Sequence, residues 1–397
     1  MPSRPSRADT DTPSAEQVRP AVLDWIVLKV AQRCNLDCDY CYVYNRGDTS
    51  WLTRPTYISQ TVVHGLAERI AEQCTRHGLT TFVLELHGGE PLLLGRRRMQ
   101  SLIDVVRETC APVQVQVMLQ TNGLLLDTEW LEFFARNSVG FGLSLDGPPE
   151  LADRHRVLRG SGAGTTQRLL DIVSSLRAQG PLFDELLGGV LCVVDPSIHG
   201  GTLVRWFVDQ GFRDFDLLLP DGTYVNLPQG WTGPGPYRRF LLEAFEEWYH
   251  GGPDAPRIRL FELMMLALLG RTNTLDALGG DLKGLCVVES DGSIGISDVL
   301  RICLGPYATD TLNVFEHPLD APADHYRIDA LQQPCDTCVR CPHFTSCQGG
   351  YLPHRFDGAS FANPSIYCEA LYALSDRMTA VLAADLPAAA WQPVPSA

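Results

Sequence analysis

Cys34, Cys38 and Cys41 stand in the spacing C-x3-C-x2-C, within CNLDCDYC. Four soft thiolates complete a tetrahedral zinc site or hold every iron of a cubane, whereas three leave one iron of a [4Fe–4S] cluster without a protein ligand. An iron with an open position is a place for chemistry. The nearby sequence supplies no fourth Cys or His at the spacing usual for zinc. The run IVLKV from Ile26 reads as a buried strand, so the triplet falls in the loop at a strand's carboxyl end, where α/β folds keep their active sites. His87-Gly88-Gly89-Glu90-Pro91 directly follows a second strand candidate, FVLEL. Glycines at such a strand end let the backbone approach a ligand without a Cβ in the way. A second thiol group, Cys335-x2-Cys338-x2-Cys341-x5-Cys347 with Cys368 further on, suits either a closed iron–sulfur cluster or a zinc knuckle.

The elements that must position these residues alternate along the chain. Strand candidates are IVLKV, FVLEL (82–86), VQVMLQ (115–120), FGLSL (141–145), GVLCVV (189–194) and DFDLLL (214–219). Helical patterns intervene, among them 61–74 and 165–179. Such alternation predicts βα units on a parallel sheet. Six strands fit a partial (βα)6 barrel, a pattern that a doubly wound sheet would share. After Pro220 the texture turns to Gly- and Pro-rich loop, then to helical stretches at 237–250 and 261–270, a strand at LCVVES, an Asp-Gly turn at Asp291-Gly292 and the second cysteine group. The expected division is a disordered leader over 1–23, a barrel over 24–235, a helical bridge with the cluster domain over 236–385, and a tail over 386–397.

The chain has 397 residues, 45% of them hydrophobic, enough to bury a large core plus a smaller one. Its formal charge of −15 and the lack of a basic patch exclude a nucleic-acid partner. No run has the length and apolarity of a membrane span, and no apolar core of a signal peptide opens the chain. Thirteen cysteines without an export signal point to metal binding in reducing cytoplasm rather than to disulfides. Cys74, Cys110 and Cys192 stand alone and read as buried, inert thiols.

The triplet with Tyr40 as its aromatic, C-x3-C-x-Tyr-Cys, resembles the signature of radical S-adenosylmethionine (SAM) enzymes. The resemblance implies that SAM chelates the open iron and that an electron cleaves it to a 5′-deoxyadenosyl radical, which takes hydrogen from substrate. It implies that Gly88, Gly89 and Glu90 hold the SAM amino group. The stretch S-x-D-G-(x8)-R resembles peptide-modifying members, including anaerobic sulfatase-maturating enzymes, and implies SAM contacts by Ser144 and Arg156, with Gln120 and Asn122 near them. The C-terminal cysteines resemble a SPASM extension, which implies that Cys338, Cys341, Cys347 and Cys368 hold an auxiliary [4Fe–4S] cluster. Two expected cysteines of a further auxiliary site are replaced, by Ser297 and Tyr351; Cys286, Cys303 and Cys335 are the thiols left to stand in. Asp298, after Ser297, matches the catalytic aspartate of the sulfatase-maturating enzymes.

Combined phrases, from VLKVAQRCNLDCDYCYVYNRGD through FGLSLDGPPELADRHR to CQGGYLPHRF, resemble the cyclophane-forming radical SAM/SPASM maturases over about residues 24–375. This implies a ribosomally made precursor peptide as substrate, Cβ–H abstraction, and a C–C crosslink closing a three-residue ring, with flavodoxin or ferredoxin as electron donor. Formylglycine formation, thioether formation or epimerisation at Cα would likewise begin with hydrogen abstraction by the 5′-deoxyadenosyl radical. A non-catalytic iron–sulfur or zinc scaffold is the reading from another class, and it gives the GGEP turn and Ser144 no purpose. About twenty-three residues before the first strand are too few for a leader-binding domain, so the precursor would be gripped by the barrel, the C-terminal region or another protein.

Overall fold

The computed structural model describes residues 22–273 and 275–386. The leader expected over 1–23 and the tail over 386–397 fall almost wholly outside the described residues. Nine strands form one sheet: β1 Trp25–Ala31, β2 Thr81–Gly88, β3 Gln114–Thr121, β4 Val139–Ser144, β5 Leu187–Val193, β6 Asp214–Leu218, β7 Arg257–Ile258, β8 Leu285–Val288 and β9 Ile294–Gly295. Their order is β7-β6-β5-β4-β3-β2-β1-β8-β9. The first six lie in chain order and pair in parallel. Parallel neighbours need a crossover, which helices such as Gln60–His77, Arg96–Cys110 and Gly200–Asp209 provide. The six-stranded α/β architecture read from the sequence is the one observed. The sheet also takes in strands from beyond residue 236: β7 extends it past β6, and β8 pairs in parallel with β1.

Side chains alternate faces along a strand, and that alternation separates core from site. In β2, Phe82, Leu84 and Leu86 are fully buried, while Glu85 and His87 turn to the other face and line a cavity. In β1, Ile26, Leu28 and Val30 pack in the core and Lys29 faces the opposite way. Each fully buried Leu, Ile or Phe contributes about 1.5–3 kcal/mol, so the register that sends Glu85, His87 and Lys29 inward is held by the apolar face. The helix Gln60–His77 shows the same economy of signals. Ser59 caps it by accepting from the Val62 N–H, Gly78 ends it at φ +64°, and Val62, Leu66, Ala67 and Ile70 form its buried stripe.

A buried ionic clamp ties the chain just after the cysteine triplet to the segment after β8. Arg301 donates to Asp48 Oδ2 at 2.7 Å, Ser50 Oγ at 2.8 Å and Asp310 Oδ1 at 3.0 Å. Arg54 reaches the same Asp310 at 2.5 Å, and Gln32 donates to Glu289 at 2.7 Å. Removing one partner of such a pair strands the other charge in the interior. Arg301→Ala is therefore expected to cost about 3–5 kcal/mol, read as a fall in the midpoint of thermal unfolding; a midpoint within error of the parent would contradict the clamp. Among the described residues no helix is long and apolar enough to cross a membrane.

Candidate active site

The cysteine loop leaves the carboxyl end of β1 and is gripped by the turn after β2. Gly89 N–H donates to Ala31 O at 2.7 Å and Glu90 N–H to Arg33 O at 2.9 Å. A Cβ on Gly88 would lie 2.2 Å from Ala31 O; one on Gly89 would lie 2.1 Å from Tyr44 Oη and 2.3 Å from Arg33 O. The sequence reading gave these glycines to ligand approach. The chain's own close packing against the cysteine loop already requires them.

Glu90 then bolts this turn to the end of β3. It is 1% exposed; its Oε1 accepts from Thr121 Oγ1 at 2.7 Å and Leu92 N–H at 3.1 Å, and its Oε2 accepts from Asn122 N–H at 2.9 Å. Asn122 Nδ2 donates to Asn35 Oδ1 at 2.8 Å and lies 3.8 Å from Cys34 Sγ, which also accepts from the Leu36 N–H at 3.3 Å. Gln120 Nε2 donates to Ser144 Oγ at 2.8 Å. Arg156 donates to Tyr40 Oη at 2.8 Å, and Tyr40 in turn donates to Asp146, 3.7 Å from Arg156. Cys34, Cys38, Cys41, Tyr40, Glu90, Gln120, Asn122, Ser144, Arg156 and Asp298 all line one cavity of about 390 Å³.

The electrostatics suit a cationic guest at the thiols. Burial, then the charge of Glu90, pushes the Cys34 thiol up to about 12, and burial likewise lifts Cys38 to about 11 and raises Cys41. Three thiolates side by side repel one another, and a cluster of iron cations relieves that repulsion. Cys338, Cys341, Cys347 and Cys368 line a separate cavity of about 190 Å³ walled by Phe344 and Tyr372. That volume takes a group much larger than an ion. Among the described residues no three His, Cys, Asp or Glu gather as for a single metal ion. Three thiols lining one cavity and four lining the other match the donor sets of an open and a closed cluster. Of the stand-in thiols, Cys286 is fully buried in β8 within the main apolar core, and Cys303 is buried in a second apolar cluster.

Several residues in or beside the cavity carried no motif. Lys29 Nζ donates to Asp298 Oδ2 at 2.5 Å and to Tyr42 Oη at 3.0 Å and lies 3.2 Å from His87 Nδ1; Tyr42 Oη also donates to Asp298 Oδ2 at 2.5 Å. Burial pushes Asp298 up, but Lys29 and its other partners win and hold it at about 2. His87 is lowered to about 4 by burial and by Lys29, so its ring is neutral at pH 7. A lysine in the middle of the apolar run IVLKV was the available signal. Asp221, Asp276 and His354 also face the cavity, and nothing in their local sequence marks them.

This sheet, with three thiols at its β1 end and a Gly-Gly-Glu turn beside them, is a radical SAM domain. The radical SAM superfamily profile matches residues 28–189, and that segment is a radical SAM domain. Along its length it is 26% identical over 342 residues to the cysteine-type anaerobic sulfatase-maturating enzyme of Clostridium perfringens (strain 13 / Type A), covering 83% of this chain and 88% of that one. Its fold is that of native anSMEcpe with bound AdoMet, at TM-score 0.76 and 23% identity, covering 91% and 100% of the two chains. SuiB of Streptococcus suis, solved with its precursor peptide SuiA, shares the fold at TM-score 0.59 and 17% identity, covering 88% and 76%. Radical SAM domains use a [4Fe–4S] cluster and SAM.

Proposed function

We propose that this enzyme oxidises a side chain of a peptide or protein at its Cβ. The observation that carries the reading is the single cavity that unites the cysteine triplet, the Gly88-Gly89-Glu90 turn, Ser144, Arg156 and a patch of carboxylates reached from the C-terminal segment. In this reading Cys34, Cys38 and Cys41 hold the open cluster. Tyr40, Gly88, Gly89, Glu90, Gln120, Asn122, Ser144 and Arg156 form the SAM cradle. Cys338, Cys341, Cys347 and Cys368 hold a closed auxiliary cluster, and residues 24–235 and 236–385 act as barrel and cluster domain. When bound, cluster and SAM supply a 5′-deoxyadenosyl radical that takes a hydrogen atom.

The similarity to sulfatase-maturating enzymes over most of the chain supports formylglycine formation from serine or cysteine. A second reading, crosslinking to an aromatic ring, has one observation in its favour. Ser297 and Tyr351 stand where the full SPASM pattern expects cysteine, and both are buried, Tyr351 facing the cavity. Both readings share Cβ–H abstraction from a peptide, an electron donor of flavodoxin or ferredoxin type, and a cytoplasmic setting.

The test is product mass after anaerobic reaction with cysteine, serine and aromatic-rich peptides. Loss of two hydrogens from a serine peptide, or exchange of sulfur for oxygen with that loss from a cysteine peptide, is the expected result. Loss of two hydrogens from the aromatic-rich peptide alone would move the conclusion to crosslinking. No change in any of them would refute peptide oxidation.

A further inference from the structure

We propose that Asp221, paired with the His354 ring, is the group that accepts the proton leaving the substrate, in place of Asp298. The inference rests on the peptide-oxidising reading above and assigns a residue within it.

Five aspartates line the cavity. Asp146 accepts from Tyr40 and the Val193 N–H, and Asp216 from Arg259 and the Leu260 N–H; the other three come from separate stretches of chain, Asp221 after β6, Asp276 before β8 and Asp298 after β9. They differ in what they already hold. Asp298 Oδ2 accepts from both Lys29 and Tyr42, so a proton arriving there would have to break a buried ion pair. Asp276 Oδ1 accepts from the Ala277 N–H at 2.8 Å. Asp221 makes no side-chain hydrogen bond among the described residues. Its neighbour is His354, 4% exposed, whose Nε2 has no hydrogen-bond partner and lies 3.8 Å from Asp221 Oδ1. The imidazole is fixed between Tyr351 and Tyr367, with ring centroids 5.2 and 4.9 Å away. A buried polar atom without a partner is costly. Here one such group, His354 Nε2, faces a carboxylate whose side chain is 21% exposed.

The surroundings favour proton uptake at this carboxylate. Asp276 and Asp298 press negative charge on it, and Arg46 is the cation that faces it. Tyr42, Tyr351 and Tyr367 feel its charge, and burial drives each of them above the range where phenols ionise. Burial, then the Asp298 charge, lifts Asp221 to about 7, whereas Asp298 sits at about 2. A base works best with a pKa near the working pH. His354 is held neutral, at about 3, by burial and Arg46. With its proton on Nδ1, its Nε2 accepts from the newly formed Asp221 O–H and steadies the protonated state.

The balance for a serine or cysteine substrate is as follows. One Cβ hydrogen has left as an atom. The O–H or S–H bond then breaks, its proton goes to Asp221 Oδ1, its electron pair becomes the second bond to Cβ, and one electron leaves to an oxidised iron–sulfur cluster. The substrate is oxidised by two electrons in all; with cysteine the resulting thioaldehyde then adds water and releases hydrogen sulfide to leave the aldehyde.

The test uses the reconstituted holoenzyme with serine and cysteine peptides deuterated at Cβ. Asp221→Asn should still move deuterium into 5′-deoxyadenosine, while oxidised peptide falls on the order of 10²–10⁴-fold. The wild-type fall in product formation below about pH 7 should vanish in that variant, and Asp221→Glu should restore part of the product. Infrared titration without peptide supplies a readout independent of turnover. A carboxyl band that disappears as pH rises through about 7 should be missing in Asp221→Asn, and in Asp298→Asn it should persist with a lower midpoint, because a raising charge is gone. A band unchanged in Asp221→Asn, or product and pH profile unchanged in it, would overturn the proposal. If the wild type moved no deuterium from either peptide, the parent reading would fail, and the infrared titration would still decide for or against Asp221.

Discussion

Replacing Cys34, Cys38 and Cys41 together by alanine abolishes 5′-deoxyadenosine formation and removes one cluster's worth of iron, about four atoms per chain. The argument is the geometry of the β1 exit. The thiols line one cavity beside the Gly-Gly-Glu turn, and burial with mutual repulsion makes them depend on a cationic guest. The C-terminal thiols lie in another cavity, so their iron should remain. Anaerobic iron analysis and the cluster's absorbance check the first half, and mass spectrometry of the nucleoside products checks the second. Iron content equal to wild type would refute the assignment of these cysteines.

Lys29→Met should be nearly as damaging, by a different route. Lys29 and Asp298 form an ion pair at 2.5 Å with side chains only 4% and 14% exposed. Methionine keeps the length of the side chain but leaves Asp298 charged and unpaired in the interior, at a cost of about 3–5 kcal/mol. The pH dependence fixes the sign. In the wild type the Asp298 pKa is depressed to about 2 from 3.8, so its contribution is present above the unfolded value and lost as pH falls through about 2. Without Lys29, burial and the neighbouring carboxylates raise it, and the folded form is penalised progressively as pH rises above the unfolded value. The gap in thermal midpoint between wild type and Lys29→Met should therefore widen from about pH 4 to about pH 7. A gap that stays constant or narrows would show that the two residues are not coupled.

Much of this was legible because it depends on local pattern. IVLKV and FVLEL end where a cysteine loop and a Gly-Gly-Glu turn begin, and β1 and β2 end there too. The four C-terminal cysteines were read as one set, and they line one cavity. What escaped depends on residues far apart in sequence. The Lys29–Asp298 pair joins positions separated by 269 residues, and the Arg301 clamp exists because β8 lies alongside β1, a parallel pairing that no turn announces. Asp298 drew attention through a neighbouring motif, whereas Asp221 follows a proline in an ordinary-looking Pro-Asp-Gly turn. Only the fold shows that one carboxylate is engaged and the other is open to the cavity.

The most direct measurement incubates the anaerobically reconstituted enzyme with SAM, a strong reductant and a Cβ-deuterated cysteine or serine peptide, and weighs the 5′-deoxyadenosine. The account predicts a nucleoside carrying deuterium from the peptide, formed by wild type and absent from the enzyme lacking Cys34, Cys38 and Cys41. A protein that binds neither cluster nor SAM, or a nucleoside that never carries the peptide's label, would contradict it.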